Sequence, residues 1–348
     1  MVKSANWVGD AVMTIPALRE LRRVLPHAHI TLATRPSIEA LFDEANYIDD
    51  ILVSDSARGG LGPIIRQTKQ WRAGRFDLAV LFQNAFGAAL IGFAAGVPRR
   101  LGYATDGRSL LLSTPIQVPS WRGDRHEIFY YLNLIAELDE RLHGKSSVMQ
   151  HEPEYGLTVS PERQQEAREL LRSAGARENR PLVVLCPGST NSRAKRWPAE
   201  RYAAISDRVT RDLNAVVVLI GSQDEVDVSE TVSGFSSSKP IMLTGRTELA
   251  QAVAVLSLAD VVVTNDTGPA HISAALDRPT LVIFGPTNPV TTRPFSSSSE
   301  VIRRPPDCAP CMLRDCPIDH RCMTAIDPDE VFSRVSALLK LQSAGVNT

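Results

Sequence analysis

The chain has 348 residues, 43% of them hydrophobic and 22% charged, with a formal net charge of −1. The length suits two domains, and the composition is that of a globular protein. A charge so near neutral exerts no global pull toward nucleic acid, no run of about 18 apolar residues predicts a spanning helix, and residues 1–10 lack the basic-then-apolar layout of a secretion signal. A cytoplasmic location is the resulting expectation.

In chain order, the first half alternates strand and helix patterns. Strands are predicted over 29–33, 51–53 and 78–82, with helical patterns over 11–24, 63–71 and 88–95 between them and a long one over 126–142. The start is unusual, because only Met1 and Val2 precede Lys3. Either the first strand is a stub or the true start lies upstream of Met1. Residues 150–161 are polar, carry Pro153 and Pro161, and read as a linker.

The alternation then restarts. Strands are predicted over 182–186, 216–220, 241–243, 261–264 and 280–284, with helices over 163–173, 198–213, 224–234, 248–258, after Gly268, and over 328–341. Strands alternating with helices imply parallel sheets with right-handed crossovers. The expected architecture is α/β, with two Rossmann-like domains facing a central cleft. Their expected bounds are 1–155 and 156–327, with a Cys-rich segment at 305–323. A last helix at 328–348 is expected to pack back toward the N-terminal domain.

Four turns carry chemistry. Thr264-Asn265-Asp266-Thr267-Gly268-Pro269-Ala270-His271 joins a buried-strand pattern to a helix start. A helix N-terminus offers unpaired N–H groups and partial positive charge, a seat for phosphate; an ordinary capped helix is the alternative. His271, one turn in, either touches phosphate or packs. The loop from Pro187 to Pro198 sets Ser189 and Thr190 before Lys195-Arg196; hydroxyls, amides and an ammonium together suit a diphosphate. It has no Walker spacing, and a polar loop with an exposed Lys-Arg pair is the plainer reading. Glu225 follows the turn Gly221-Ser222, where ribose-binding acids sit, or is a surface acid; Asp224 is an equal neighbour. Near the start, Gly9 permits a tight turn and Asp10 stands at a helix N-terminus, as a general base or as a dipole-stabilising carboxylate. No GxGxxG accompanies it.

Cys308, Cys311, Cys316 and Cys322 cluster with Asp315, Asp319 and His320 interleaved. In a cytosolic chain this favours metal thiolates over disulfides, with zinc or an iron–sulfur cluster as candidates and reduced packing thiols as the alternative.

Together, Asn6-Trp7-Val8-Gly9-Asp10, Gln83-Asn84-Ala85-Phe86, the stretch from Gly96 to Tyr103, the Pro187 to Pro198 loop and Asn265 to His271 resemble the ADP-heptose:lipopolysaccharide heptosyltransferases, a GT-B family. The Trp-Val-Gly-Asp form is most like the heptosyltransferase II branch. The resemblance implies an inverting glycosyltransferase that moves heptose from ADP-heptose to the lipopolysaccharide inner core. Asp10 would be the base, and Lys195 would absorb the leaving charge. Ser189, Thr190, Lys195, Thr267, Gly268 and His271 would meet the diphosphate, Asp266 the sugar and Glu225 the ribose. Trp7, Asn84 and Arg100 would meet the acceptor, with Arg99, Arg108, Arg122 and Arg125 either pairing with its anionic groups or standing as surface charges. No cofactor is implied, and the lipid acceptor implies a peripheral place at the inner membrane face. A nucleotide-sugar 2-epimerase and a metal-binding regulatory protein remain as alternatives.

Overall fold

The computed structural model describes residues 1–54 and 61–345. The chain divides into two compact units, Met1–Tyr155 and Gly156–Thr348.

In the first unit β1 (Val2–Lys3), β2 (Thr31–Thr34), β3 (Asp50–Val53), β4 (Leu78–Leu81), β5 (Arg99–Tyr103) and β6 (Thr114–Ile116) form a parallel sheet in the order β3-β2-β1-β4-β5-β6. Its helices are α1 (Val8–Met13), α2 (Ile15–Val24), α3 (Leu61–Ala73), α4 (Phe86–Ala94) and α5 (Glu127–His143). The predicted 11–24 helix is in fact two. The Thr14 hydroxyl donates to the Ala11 carbonyl at 2.6 Å, and Pro16 has no N–H to carry the ladder onward. Ile15, Leu18, Leu21 and Val24 recur at helical spacing on the buried side of α2, which packs on α5, while α3 packs on α4. The strand order reverses direction between β1 and β4, so right-handed crossovers put these helix pairs on opposite faces.

The second unit repeats the plan. Strands β7 (Leu182–Cys186), β8 (Val216–Leu219), β9 (Ile241–Met242), β10 (Val261–Asn265), β11 (Thr280–Phe284) and β12 (Ser299–Arg303) run β12-β11-β10-β7-β8-β9, all parallel. Its helices are α6 (Pro161–Ser173), α7 (Ala199–Asp212), α8 (Val226–Phe235), α9 (Leu249–Ser257), α10 (Gly268–Ala275), α11 (Pro289–Thr292), α12 (Arg321–Thr324) and α13 (Pro328–Gly345). Every residue of β7, β10 and β11 is buried, as continuous apolar runs with helices on both faces require.

α13 packs on α7, β10 and β11. Val331, Val335, Leu338 and Leu339 lie in one core with Val263, Ile283, Tyr202 and Val209, each contributing about 1.5–3 kcal/mol of burial. The apolar side of α13 thus fills the second unit's own core. Residues 346–348 lie outside the described residues.

Candidate active site

Parallel α/β sheets present their loops at the carboxyl ends of the strands, and ligands gather where the strand order reverses. In the first unit that point lies between β1 and β4. Trp7 is the N-cap of α1 with its ring 52% exposed, and Asp10 sits in the helix's first turn, partly buried. Its charge acts on Tyr131, whose hydroxyl burial already drives far above the ordinary phenol range. Tyr131 in turn stands edge-on to Phe82 at 5.5 Å. The base candidate is thus backed by an aromatic wall from α5.

Asn84, beyond β4, is held from two sides. Its amide donates to the Tyr130 hydroxyl at 2.8 Å, and its Oδ1 accepts from Arg108 at 2.8 Å. Arg108 is fully buried. Its guanidinium also donates to the Tyr103 carbonyl at 2.8 Å and to the Gln83 carbonyl. Burial lowers its pKa, but its acceptors keep a buried guanidinium supplied with partners. Tyr130 stacks on Tyr103 at 3.9 Å and also accepts from Arg122, which lies over its ring at 4.1 Å. Glu127 completes the group 3.9 Å from Arg122; burial raises its carboxyl and Arg122 partly offsets this.

Two of the expected acceptor arginines are placed differently. Arg108 is structural, locked behind Asn84. Arg100 pairs in register with Ala79, in the amino half of its strand. Its guanidinium bonds the Leu111, Val97 and Pro98 carbonyls. Those bonds brace Arg100 against the turn after α4 and the Ser109–Leu111 turn.

In the second unit the corresponding edge gathers the donor candidates. Lys195 Nζ lies 2.9 Å from Asp266 Oδ2 and donates to the Asp266 carbonyl at 3.0 Å. Asp266 is 2% exposed, and Thr287 donates to the same Oδ2 at 2.6 Å. Thr267 is the N-cap of α10, with extended backbone and no side-chain cap bond, and Pro269 stands in the first turn. At this helix start Pro269 carries no N–H and the Ala270 N–H donates to the Thr267 carbonyl at 3.0 Å, so Gly268 supplies the leading N–H of α10. Ser189 and His271 are buried and Thr190 is exposed, 3.4 Å from the Ser222 hydroxyl. Glu225 takes the Ser222 N–H at 2.8 Å and its hydroxyl at 3.1 Å.

The residue that knits these loops was not singled out from the sequence. Asn265 is fully buried. Its amide donates to the Pro187 and Gly188 carbonyls at 2.8 and 3.1 Å, and its Oδ1 accepts from the Trp197 N–H and the Tyr202 hydroxyl, each at 3.1 Å. A polar residue closing a buried apolar strand was the available signal. Arg108, Tyr130 and Glu127 were also passed over as a group, since only the fold brings them to Asn84.

The Cys-rich segment backs the same loop. The Ala194 N–H donates to the Arg314 carbonyl at 2.9 Å, and the Ser192 hydroxyl donates to the Leu313 and Arg314 carbonyls at 3.3 and 3.2 Å. His320 Nε2 donates to the Ala194 carbonyl at 2.7 Å. Among the described residues, no group of three or more His, Cys, Asp or Glu is arranged to hold a metal ion. The zinc or iron–sulfur reading of Cys308, Cys311, Cys316 and Cys322 therefore has no support in the arrangement of these residues. Cys308 is exposed, Cys311 and Cys316 are partly so, and Cys322 is buried. Burial pushes the Cys322 thiol up to about 11, which keeps it protonated at neutral pH.

Two doubly wound units, with their polar residues gathered at the carboxyl edges, define a GT-B glycosyltransferase fold. The family model described as glycosyltransferase family 9 (heptosyltransferase) matches residues 64–321, and the chain belongs to that family. It is 28% identical to lipopolysaccharide heptosyltransferase 2 of Salmonella typhimurium, over 87% of each chain. It is 27% identical to the Escherichia coli K12 protein of the same name, over 99% of each. The solved structure of E. coli ADP-heptose lps heptosyltransferase II superposes with a TM-score of 0.83 at 25% identity, covering 98% of both chains. Family membership decides for a glycosyltransferase over the epimerase and the regulatory protein.

Proposed function

We propose that this chain transfers a heptosyl group from ADP-heptose to the inner core of lipopolysaccharide, as a heptosyltransferase of the second type. The observation that carries the reading is the Lys195–Asp266 ion pair at the N-terminus of α10, at the carboxyl end of the second unit's sheet. The diphosphate of the donor lies against Lys195, the Ser189-Thr190 loop and the Thr267-Gly268 turn at the start of α10. Asp266 meets the sugar and Glu225 the ribose. His271 stands behind the phosphate seat.

On the first unit, Trp7 and Asn84 contact the acceptor. Asp10 takes the proton from the acceptor hydroxyl as that oxygen bonds to the anomeric carbon. The bond from that carbon to the β-phosphate oxygen breaks, and the configuration inverts. General-base assistance of this kind contributes about 10²- to 10⁴-fold. Charge that develops on the departing ADP is met by Lys195 and the α10 dipole. The step balances in atoms and charge without a cofactor. Because the acceptor is anchored in lipid, we place the enzyme on the cytoplasmic side, working at the inner membrane face.

The test is incubation with ADP-heptose and heptose-deficient core lipids of defined truncation, with products read by mass. A gain of one heptose on a core that already carries the first heptose is the expected result. Hydrolysis of donor with no glycosylated core, or epimerised nucleotide sugar, would remove the reading.

A further inference from the structure

The first unit exposes large apolar side chains on adjoining elements. Leu61 and Ile65 of α3 are 74% and 53% exposed, and Phe93 of α4 is 51% exposed. Leu61 and Ile65, four residues apart, share one side of their helix. Phe86 and Phe93, seven apart, do the same on α4. Leu110, on the 3-10 turn Ser109–Leu111, is 93% exposed. α3 packs on α4 and α4 on that turn, so these exposed residues lie on three adjoining elements of the unit.

The same stretch is cationic. Within residues 61–112 the exposed charges are Arg66, Lys69, Arg72, Arg75 and Arg99 against Asp77 and Asp106, an excess of three cations in a chain whose total is −1. Neither α3 nor α4 contains an acidic residue. Arg66, Lys69, Arg72 and Arg99 are exposed, and Arg100 lies 5.4 Å from the centre of the Phe93 ring. Apolar anchors rimmed by cations suit the boundary of an anionic bilayer, where chains enter the headgroup region and cations meet phosphate. Both helices begin at the carboxyl edge of the sheet, the edge that holds Asp10.

We propose that the exposed α3–α4 face of the first unit docks on an anionic phospholipid surface, with Leu61, Ile65 and Phe93 entering the headgroup layer and Arg66, Lys69 and Arg72 facing lipid phosphates. This deepens the proposed function: the face delivers the enzyme to a lipid-anchored acceptor.

The test sediments the full chain with vesicles of phosphatidylcholine mixed with phosphatidylglycerol, and with phosphatidylcholine alone. Wild-type protein binds the anionic vesicles and is released as salt shortens the screening length. The double variant Ile65→Glu/Phe93→Glu binds them about tenfold more weakly. In transfer assays this variant keeps its rate on a delipidated, soluble core acceptor and loses rate on the same core embedded in vesicles. Equal vesicle binding by variant and wild type overturns the proposal. So does a wild-type dimer that the variant converts to monomer, which assigns the face to a second copy of the chain. Vesicle binding that follows this pattern, without transfer to either acceptor, supports the docking face and counts against the transferase reading alone.

Discussion

The carboxylate of Glu225 lies directly over the α-carbon of Gly188: a Cβ added there would stand 2.3 Å from Glu225 Cδ and Oε1. The turn after β7 and the turn after β8 therefore touch through a glycine and an acid, and neither can move without the other. Gly188→Ala should displace Glu225 from its Ser222 bonds and raise the KM for ADP-heptose about tenfold, the worth of one charged hydrogen-bonded contact. Titration with ADP measures it, and unchanged ADP affinity would detach Glu225 from the nucleotide.

Asp10→Asn keeps the size of the side chain and removes its basicity. Transfer should fall about 10²- to 10⁴-fold, while ADP binding, which the proposal seats wholly on the second unit, stays as it was. Turnover within a factor of two of wild type would take the role of base away from Asp10.

Arg108→Met would take the Arg108 donor from the Gln83 carbonyl and Asn84 Oδ1 and leave the Tyr103 carbonyl with the Thr105 N–H. A loss of about 3 kcal/mol in unfolding free energy is expected from removing one charged partner of a buried group. Among molecules that remain folded, acceptor KM rises while ADP affinity does not. Denaturant melts and separate titrations of the two substrates check both halves.

His320 donates to Ala194, next to Lys195. His320→Ala should raise donor KM several-fold, and His320→Gln, which retains an N–H donor, should restore part of the loss. Equal effects of the two variants would show that the hydrogen bond is not what places the loop.

Lys3, buried in β1, has its pKa lowered to about 8, first by burial and then by Arg35. The unfolded chain therefore binds more protons than the folded one between pH 8 and about 10.4, and folding stability rises across that window. Lys3→Met should add about 2 kcal/mol at pH 7, a gain that shrinks as the wild-type amine deprotonates. Chemical melts of both proteins at pH 7 and pH 10 give the difference, and a gain that does not depend on pH would contradict the assignment.

The central strands were legible because a sheet covered on both faces demands unbroken apolar runs, as in Leu182–Cys186 and Thr280–Phe284. The strands that escaped notice are β5, β6 and β12. β6 and β12 are edge strands, and β5 lies next to β6. Arg99-Arg100, Pro115 and Glu300 belong to strands that need satisfy only part of their surface. The site divides in the same way. Lys195, Asp266 and Asp10 were visible because short turns carry their chemistry in a few consecutive residues. The Arg108–Asn84–Tyr130 group was invisible because its members lie far apart in the chain and meet only through the sheet. The contact of the Cys-rich segment with Ser192 and Ala194 was equally invisible, because it runs through the Leu313 and Arg314 carbonyls, which no side-chain pattern announces.

Both sheets, read from β3 and from β9, follow one connectivity. The turn that bears Asp10 and the loop that bears Lys195 thus occupy the same station in their respective halves, and the turns of Asn84 and of Asp266 occupy the next. A duplicated scaffold has been given opposite charges at matched addresses, acid in one copy and ammonium in the other. Substrate preference in such a chain is open to change by rewriting four short turns, with the buried strands beneath them left as they are.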